Sequence, residues 1–439
     1  MKIIARFAPS PTGHLHVGNL RTAIFNYILA KRSGGKFILR LDDTDQLRST
    51  QKFSDQIKRD LEWLGFEWDR CEKQSERIPL FESAAKQLRE TGYLYECFET
   101  PEELELKRRK QLNMGLPPVY DRAALRLSPS DKESLSSKRR GHWRFKLDQS
   151  RVEWEDGVLG PLSIDAGSVS DPILIRGDGQ YLYTLASVVD DADFNINYVV
   201  RGSDHVTNTA TQIQLFKALG YTPPIFAHHS LLVGLSGEPL SKRMNNLSLL
   251  ELKNTGFEPQ AVVIFMACLG GLKHAGVGST LEEVFEGFAL SSFGPAPTKF
   301  DPDVLRSFSQ KSLSKLSLNE LEKQLDELEV PRLLQLDFWN MAKENITKRS
   351  DLGALWHLCV NGPVPVIAPE DKDFLIICRK LLPDSPRDQK SWSVWTTAIK
   401  SETGRSGKDL FLPLRKALTG KENGPDMNKL FPLLQKILF

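Results

Sequence analysis

The sequence predicts a multi-domain protein that begins as an α/β fold and ends in helices, and three observations support this fold class. The chain has 439 residues, which is more than one hydrophobic core usually serves. Residues 6–28 read as a strand, a turn rich in proline and glycine, and a helix with apolar residues every three to four positions. Residues 401–439 contain many leucines but almost no valine or isoleucine, which favours helices over strands.

The composition is typical of a soluble protein in a reducing compartment. Hydrophobic residues make up 40% of the chain and charged residues 26%, so it can bury a core and stay in water. The stretch AVVIFMACLGGL is about half of the roughly 20 residues that a membrane span needs, and the N-terminal segment reaches Arg6 before a long apolar run forms. Five scattered cysteines argue against a disulfide framework. We therefore expect a cytoplasmic protein that does not enter a membrane.

Nucleic-acid binding would have to use local patches, because the net charge is only +2. The candidates are the runs KRRK at 107–110 and KRR at 138–140. Charge runs of this kind are most often solvated surface, so the sequence alone leaves both interpretations open.

The first motif is RFAPSPTGHLHVGN, residues 6–19. Its turn brings His14, His16 and Gly18 to the start of the helix. Helix-start amides attract phosphate, imidazoles donate to phosphate oxygens, and a glycine lets a ribose or a ring approach the backbone. These residues indicate a nucleotide site, although an ordinary strand-to-helix turn with exposed histidines explains the same pattern.

The second motif is EPLSKR, residues 238–243, in a loop that contains glycines. A mobile loop that carries Lys242 can close over a polyphosphate and neutralise charge that develops in a transition state. Ser241, Lys242 and Arg243 also form a common surface tripeptide. The position of this loop relative to the first motif is what makes it informative.

The two motifs together resemble those of a known family. HVGN and PLSKR are similar to the HIGH and KMSKS signatures of class I aminoacyl-tRNA synthetases, and the flanking residues resemble the bacterial glutamyl-tRNA synthetases. The resemblance runs from residue 6 to about residue 250 and continues more thinly near the C-terminus. The segments that carry it are RFAPSPTG, LRTAIFNYILAKRSGGKFILRLDDTD, SDPILIRGDGQYLYTLASVVDD, VVRGSDHVTNTATQIQLFKALG and TGRSGKDLFLPLRKALTG.

The resemblance implies an α/β Rossmann-like class I synthetase catalytic domain with an α+β connective insert, followed by all-α stem-contact and anticodon-binding domains. The halves of the catalytic domain would be residues 1–97 and 185–250. The insert that binds the tRNA acceptor end would be residues 98–184, where GHWRFKLDQSRVEWEDGVLGPLSID alternates like strands. The stem-contact region would be residues 251–325 and the helical anticodon-binding domain residues 326–439, where LSLNELEKQLDELEV has leucines at helical spacing.

Related and rival classes differ in their C-terminal parts. Glutaminyl-tRNA synthetases carry β-barrels there and the truncated glutamyl-queuosine enzymes lack an anticodon-binding region, so a helical tail favours the glutamyl type. A small adenylyltransferase also uses an H-x-G-H turn but needs neither insert nor tail. A non-catalytic tRNA-binding paralogue stays an alternative, which ATP–pyrophosphate exchange with glutamate and tRNA would separate from an enzyme.

The implied activity is that of a glutamate–tRNA ligase. Glutamate would be joined to the α-phosphate of ATP with Mg²⁺ as counter-ion and release of pyrophosphate, and then transferred to the 3′-terminal adenosine of tRNA(Glu). Whether tRNA(Gln) is also charged stays open, and a monomer is expected. His16 and Lys242 would be catalytic. The other implied ATP contacts are His14, Gly18, Asn19, Ser241 and Arg243.

A pocket for glutamate needs a cation for the side-chain carboxylate and an anion for the amino group, and the planar fork of arginine suits the carboxylate. The resemblance assigns Arg6 and Arg201 to the side chain and Asp42 to the ammonium group. Otherwise Arg201 reads as a surface residue at a strand end, and Asp42 as a turn or cap carboxylate. The full set of implied pocket residues is Arg6, Ala8, Ser10, Asp42, Tyr183, Ser187 and Arg201.

Four positions depart from the family pattern. Pro239 replaces the first lysine of KMSKS, which leaves the lysine role to Lys242 alone. Asp42 stands where Glu is frequent and Ser187 where Asn is frequent, so both side chains are shorter. Ser203 stands where Glu is common, which puts an ATP contact from that position in doubt.

The sequence predicts no structural zinc and no other metal ligands. Some bacterial relatives hold zinc in the insert through a C-x-C pair and later Cys, His or Tyr ligands. Here YECFET offers Cys97 alone, and VYDRAALRL has no cysteine or histidine where later ligands would fall. A single thiolate cannot complete a tetrahedral site. We therefore expect the insert to be held by its own core, with Tyr95, Phe98 and Tyr120 as members.

Overall fold

The protein folds into two compact units. The first unit comprises residues 1–253 and 262–302, and the second comprises residues 254–261 and 303–439. The computed structural model describes residues 1–238, 240, 248–271 and 276–439.

The first unit alternates strands and helices. Its strands are β1 (Ile4–Phe7), β2 (Lys36–Leu41), β3 (Arg70–Lys73), β4 (Leu94–Cys97), β5 (His142–Phe145), β6 (Arg151–Asp156), β7 (Gly160–Asp165), β8 (Ile173–Ile175), β9 (Tyr198–Gly202), β10 (Ile225–His229), β11 (Leu232–Val233) and β12 (Thr298–Lys299). The helices up to its end are α1 (Val17–Arg32), α2 (Gln51–Trp63), α3 (Ile78–Glu90), α4 (Pro101–Asn113), α5 (Pro129–Ser136), α6 (Tyr183–Asp193), α7 (Val206–Ala218), α8 (Leu249–Thr255), α9 (Pro259–Cys268) and α10 (Leu281–Gly287).

Parallel strands form the framework of this unit. Strands β1, β2 and β3 pair in parallel with β2 in the centre, and β9 pairs in parallel with β10. Asn197 joins the two groups, because its N–H donates to Ile4 O at 3.1 Å and its Oδ1 accepts from Ile4 N–H at 2.8 Å. Central residues such as Leu39 and Val199 are fully buried, as in strands covered on both faces. The predicted strand, turn and helix are confirmed as β1 and α1.

The segment between β4 and β8 forms an α+β insert. Strand β5 pairs antiparallel with β4 and β8, and β6 and β7 form a hairpin. The sequence assigns residues up to 97 to the first catalytic half, whereas Leu94 lies opposite Phe145 and Cys97 opposite His142. The sheet of the insert therefore begins at β4, because its backbone pairing is with β5.

Two of the expected core residues of the insert, Tyr95 and Tyr120, lie in one cluster, and the third, Phe98, is buried. Tyr95 and Phe98 are buried, and Tyr120 packs against the cluster of Tyr95 and Cys97. The basic runs lie outside this core. The run at 107–110 belongs to α4, which buries none of its side chains, and Arg139 of the second run forms an ion pair with Glu103 at 2.9 Å.

The second unit is helical, as the leucine-rich sequence predicts. Trp395 and Phe431 stack in its core with ring centroids 5.0 Å apart. Among the described residues, we find no helix with the length and hydrophobicity that crossing a bilayer requires. The helices from residue 302 onward are α11 (Pro302–Leu313), α12 (Glu322–Glu327), α13 (Arg332–Ala342), α14 (Asp351–Asn361), α15 (Lys372–Lys380), α16 (Ser391–Thr403), α17 (Lys408–Thr419) and α18 (Met427–Leu430).

Candidate active site

An open cleft of about 790 Å³ lies where β1, β2, β9 and β10 end. Ligands of open α/β sheets bind at this edge. The predicted residues that line the cleft are Arg6, Ala8, Ser10, His14, His16, Gly18, Asn19, Asp42, Tyr183 and Arg201. Ser187 is fully buried and is not among the lining residues. Pro239, Ser241, Lys242 and Arg243 lie outside the described residues.

His16 closes the start of helix α1. Its Nδ1 accepts hydrogen bonds from the N–H groups of Gly18 at 3.1 Å and Asn19 at 3.3 Å. A neutral imidazole whose Nδ1 accepts carries its proton on Nε2. Burial lowers the pKa of His16 and so keeps the ring neutral. His16 therefore offers one N–H donor, while the two amides that we expected to hold phosphate are occupied by its own ring.

Gly18 makes room for that ring. A Cβ atom at this position would lie 2.9 Å from Cε1 and 3.0 Å from Nδ1 of His16. We expected the space at Gly18 to admit a ribose or a ring, whereas the capping imidazole of His16 fills it. Asn19 completes the cap, because its Oδ1 accepts from His16 N–H at 3.3 Å.

Two more histidines border the same end of the cleft. The His14 ring lies edge-on to Phe53, with centroids 5.3 Å apart. His229 donates from Nδ1 to Ser230 O at 3.0 Å, so its Nε2 accepts from the Thr22 hydroxyl at 2.8 Å. Burial lowers the pKa of His229 to about 3, which keeps this side of the cleft uncharged.

Arg40 is the centre of a buried network of charges beneath the pocket. Its Nε and Nη2 donate to Asp42 Oδ1 at 2.7 Å and Oδ2 at 3.1 Å. Its Nη1 donates to Asp191 Oδ1 at 2.8 Å, and its Nη2 also donates to Ser187 Oγ at 2.9 Å. Burial raises the pKa of Asp42 to about 6, although the charge of Arg40 opposes this. Ser187 thus contacts Arg40 rather than the open cleft.

The surrounding buried charges are matched in pairs. Arg6 donates from Nε to Asp191 Oδ1 at 3.1 Å, and Arg77 donates from Nε to Asp190 Oδ1 at 2.6 Å. The buried cations Arg6, Arg40 and Arg77 therefore have the buried anions Asp42, Asp190 and Asp191 as partners. Such pairing offsets much of the free energy that isolated buried charges would cost.

Arg201 differs from the buried arginines Arg6, Arg40 and Arg77, which have aspartate partners, because its own partners are uncharged. It donates from Nη1 to Tyr183 Oη at 2.9 Å, from Nη2 to Thr209 Oγ1 at 2.6 Å and from Nε to His228 Nε2 at 3.3 Å. No ion pair of Arg201 occurs in the part of the chain that the structure describes. Because a guanidinium has five N–H donors, one on each terminal nitrogen remains for a ligand. A carboxylate is the ligand that such a fork binds best.

The chain that carries this site matches known proteins over its full length. Residues 2–307 match the family model described as tRNA synthetases class I (E and Q), catalytic domain. The chain is 57% identical over 433 residues to glutamate–tRNA ligase 1 of Ruegeria pomeroyi, and the alignment covers 98% of both proteins. The chain belongs to the glutamate–tRNA ligase family. It is also 55% identical over 437 residues to glutamate–tRNA ligase 2 of Cereibacter sphaeroides, covering 100% of this chain and 99% of that one.

Solved structures of family members have the same fold. A glutamate tRNA ligase from Elizabethkingia meningosepticum, crystallised in complex with its amino acid, superposes with a TM-score of 0.82 at 25% identity over 99% of this chain and 97% of that chain. The glutamate–tRNA synthetase of Elizabethkingia anophelis gives a TM-score of 0.80 at 26% identity and covers the same shares of both chains.

Sequence reasoning missed the residues that hold the pocket residues in place. Arg40 interrupts the apolar strand KFILRL. Because a charge in a strand that is buried on both faces needs a buried partner, its position in the sequence could have predicted a buried ion pair. Asp190 and Asp191 follow Tyr183 and Ser187 at helical spacing on α6, which also places them on one face. Nothing in the sequence singles out His228.

One group in the insert resembles a metal site in composition. The ligand atoms of Cys97, Glu99 and His142 all lie within 4.8 Å of one another. The sequence argument that Cys97 has no histidine nearby was therefore wrong, because the pairing of β4 with β5 brings His142 opposite it. Lys107 Nζ lies 3.1 Å from Glu99 Oε1, so a cation already neutralises one of the three groups.

Proposed function

We propose that this family member activates L-glutamate with ATP and transfers it to the 3′-terminal adenosine of tRNA(Glu). The choice of glutamate rests on Arg201, which is a buried cation at the cleft and whose hydrogen-bond partners are all uncharged. Arg6 and Arg40, the other arginines that line the cleft among the described residues, have aspartate partners. A substrate that brings its own side-chain carboxylate completes the balance, whereas a neutral side chain leaves Arg201 uncompensated.

In this proposal the amino acid lies with its side chain at Arg201 and its ammonium group at Asp42. Arg6 contributes positive charge from the same side, since only its Nε is bonded to Asp191. The Asp42 carboxylate accepts two hydrogen bonds from Arg40, and each of its oxygens has a second lone pair for the ammonium group. Ala8, Ser10 and Tyr183 form the remaining walls, and Ser187 acts through Arg40.

ATP occupies the other end of the cleft, next to His14, His16, Gly18 and Asn19. The Nε2–H of His16 donates to a phosphate oxygen, and the positive end of helix α1 favours the negative charge. Lys242, which lies outside the described residues, supplies the cation for the departing pyrophosphate together with Ser241 and Arg243. The protein thus positions groups and neutralises charge, and no covalent intermediate with the chain is required.

ATP enters as its magnesium complex. The cleft carboxylate Asp42 is bonded to Arg40, and the other one, Asp204, is more than half exposed. Groups that could bind a metal ion through several side chains do not occur at this cleft among the described residues. We therefore propose that the phosphates themselves carry Mg²⁺.

The remaining parts of the chain bind tRNA in this proposal. The insert, residues 98–184, takes the acceptor end and presents the basic run 107–110 on its exposed helix α4 and the run 138–140 just after α5. Residues 251–325 contact the stem, and the helices of residues 326–439 read the anticodon. We expect the protein to act as a monomer in the cytoplasm.

The decisive experiment is ATP–pyrophosphate exchange in the presence of tRNA(Glu), with glutamate, glutamine and aspartate compared as substrates. Glutamate should support exchange and the other two should not. Exchange with none of them would identify a non-catalytic tRNA-binding protein. Charging of purified tRNA(Glu) and tRNA(Gln) with radioactive glutamate then shows whether one or both are substrates.

A further inference from the structure

Arg201 is hydrogen-bonded to His228, which in turn contacts Asp156 farther from the cleft. His228 Nε2 accepts from Arg201 Nε at 3.3 Å and lies 2.9 Å from the Thr209 hydroxyl. On its other side, His228 Nδ1 lies 2.5 Å from Asp156 Oδ2. Asp156 and His228 are both buried, and neither is among the residues that line the cleft.

Asp156 is held firmly by the backbone around it. Its Oδ1 accepts from the N–H groups of Val158, Leu159 and His228, each at 3.0 Å. Gly157 allows this close approach, since a Cβ there would lie 2.5 Å from Tyr198 Oη and 3.0 Å from Ala227 Cβ. The turn of the β6–β7 hairpin thus lies directly against β9 and β10, the strands that carry Arg201 and His228.

The hydrogen bonds that connect Asp156, His228 and Arg201 fit one tautomer of His228. Hydrogen bonds from His228 and the backbone lower the pKa of Asp156 to about 2 despite its burial, so the carboxylate is ionised. Burial lowers the pKa of His228, so its ring is neutral. An ionised carboxylate only accepts, so the proton of His228 lies on Nδ1 and its Nε2 is an acceptor. That acceptor is what the N–H of Arg201 requires, whereas the Thr209 hydroxyl also has the backbone O of His205 as an acceptor at 3.2 Å.

We propose that Asp156 and His228 are positioning residues for amino-acid selection: by fixing the tautomer of His228 they hold the Arg201 guanidinium towards the side-chain carboxylate of the substrate. The imidazole separates Asp156 from Arg201, so Arg201 is oriented without being neutralised. A carboxylate in direct contact with Arg201 would compete with the substrate for the same charge. This inference rests on the proposed role of Arg201.

Asp156→Asn tests the proposal with a change of one atom. The three backbone N–H groups require an oxygen where Oδ1 now lies, so the amide must direct its NH₂ group at His228 Nδ1. The ring then carries its proton on Nε2 and opposes the N–H of Arg201. We expect KM for glutamate in pyrophosphate exchange to rise about 10- to 100-fold, with KM for ATP changed by less than about twofold.

A spectroscopic readout separates this effect from a general loss of structure. With ¹⁵N-labelled histidine, only 8 residues contribute signals, and His228→Gln assigns its own signal by deletion. The proton of His228 should lie on Nδ1 in the natural protein and on Nε2 in Asp156→Asn. Thr209→Val, which removes the acceptor at 2.6 Å from Arg201 Nη2, should raise KM for glutamate in the same way. Asp165→Asn, at the far end of the same hairpin, is the matched control and should change neither quantity.

The outcomes distinguish this inference from the proposed function. If Arg201→Leu abolishes glutamate binding but Asp156→Asn and Thr209→Val do not weaken it, the positioning role is wrong and the role of Arg201 stands. An unchanged tautomer in Asp156→Asn also overturns the inference. If Arg201→Leu itself leaves KM for glutamate unchanged, both fail. Should Asp156→Asn not fold, as judged by thermal unfolding, His228→Phe decides, because it removes the same acceptor of Arg201, and an unchanged KM for glutamate would then overturn the inference.

Discussion

Arg40 donates two hydrogen bonds to the two carboxylate oxygens of Asp42, at 2.7 and 3.1 Å, and both side chains are buried at the foot of the pocket. The arrangement orients Asp42 and supports its negative charge. Burial nevertheless dominates and raises the pKa of Asp42 to about 6. The residue proposed to bind the substrate ammonium group therefore changes charge close to neutral pH.

A pH dependence of glutamate binding follows. Only the ionised Asp42 attracts an ammonium group, so KM for glutamate should rise as the pH falls through about 6, by about tenfold per pH unit below it. Initial rates of pyrophosphate exchange between about pH 5 and pH 8 measure this. The titration of Asp42 does not unfold the protein in acid. Because folding raises its pKa, protonated Asp42 stabilises the folded state at low pH, and this contribution is lost as the pH rises through about 6.

The control for this prediction is Asp42→Asn. The variant should bind glutamate weakly at every pH, and its KM should no longer rise on acidification. If the same acid limb persists in Asp42→Asn, another group titrates and the assignment of the ammonium site to Asp42 is wrong.

A second prediction concerns the capping imidazole. In Gly18→Ala the new Cβ would lie 2.9 Å from His16 Cε1, so the ring must move and its Nε2–H leaves the phosphate site. We expect KM for ATP to rise about tenfold or more while KM for glutamate changes little. Gly287→Ala is the matched control, because no atom lies within 4 Å of its Cβ. Normal ATP kinetics in Gly18→Ala would contradict the proposed role of His16.

The sequence was sufficient for those parts of the site that follow local patterns. The strand, turn and helix of residues 6–28 could be read from periodicity and turn residues, and the helical second unit from its leucines. The charge network could not be read in full, because residues such as Arg40 and Asp191 are distant in the sequence. The capping role of His16 could not be predicted either, since the same sequence is compatible with a ring that binds phosphate and with a ring that binds backbone amides.

The third prediction is that the insert contains no zinc. Cys97, Glu99 and His142 offer three ligand atoms, and the fourth candidate is the Tyr120 hydroxyl, 3.6 Å from Cys97 Sγ and 2.9 Å from Glu99 Oε1. Burial raises the pKa of Tyr120, so this hydroxyl stays protonated and is a poor zinc ligand. Glu99 pairs with Lys107 at 3.1 Å, and Arg144 donates to His142 Nε2 at 3.3 Å, so two cations lie beside the group. Elemental analysis of protein purified without chelators should show zinc well below one ion per chain. Stoichiometric zinc that is lost in Cys97→Ala would refute this prediction.

The fourth prediction concerns Lys242. Because Pro239 carries no charge, Lys242→Ala removes the remaining lysine of the loop signature. Adenylate formation should slow by about 10²-fold or more, the scale of losing one preorganised electrostatic contact, while KM for glutamate stays the same. Lys86→Ala, at an exposed position of α3, is a control for the loss of a surface charge. Pyrophosphate exchange near the normal rate in Lys242→Ala would remove the loop from the mechanism.

The last prediction concerns the choice of amino acid. Arg201→Leu removes a buried cation at the cleft whose partners are uncharged, so glutamate loses its charge-assisted pair in the pocket. Glutamine in the natural protein leaves this guanidinium without an anion, a penalty of about 2–4 kcal/mol that the leucine variant no longer imposes. We therefore expect kcat/KM for glutamate to fall by about 10²-fold or more, with the value for glutamine unchanged or slightly raised. Steady-state exchange kinetics with both amino acids and tRNA present measure the ratio, and Arg176→Leu, an exposed arginine, is the control. Equal losses with both amino acids would mean that Arg201 supports the structure of the pocket and does not select the substrate.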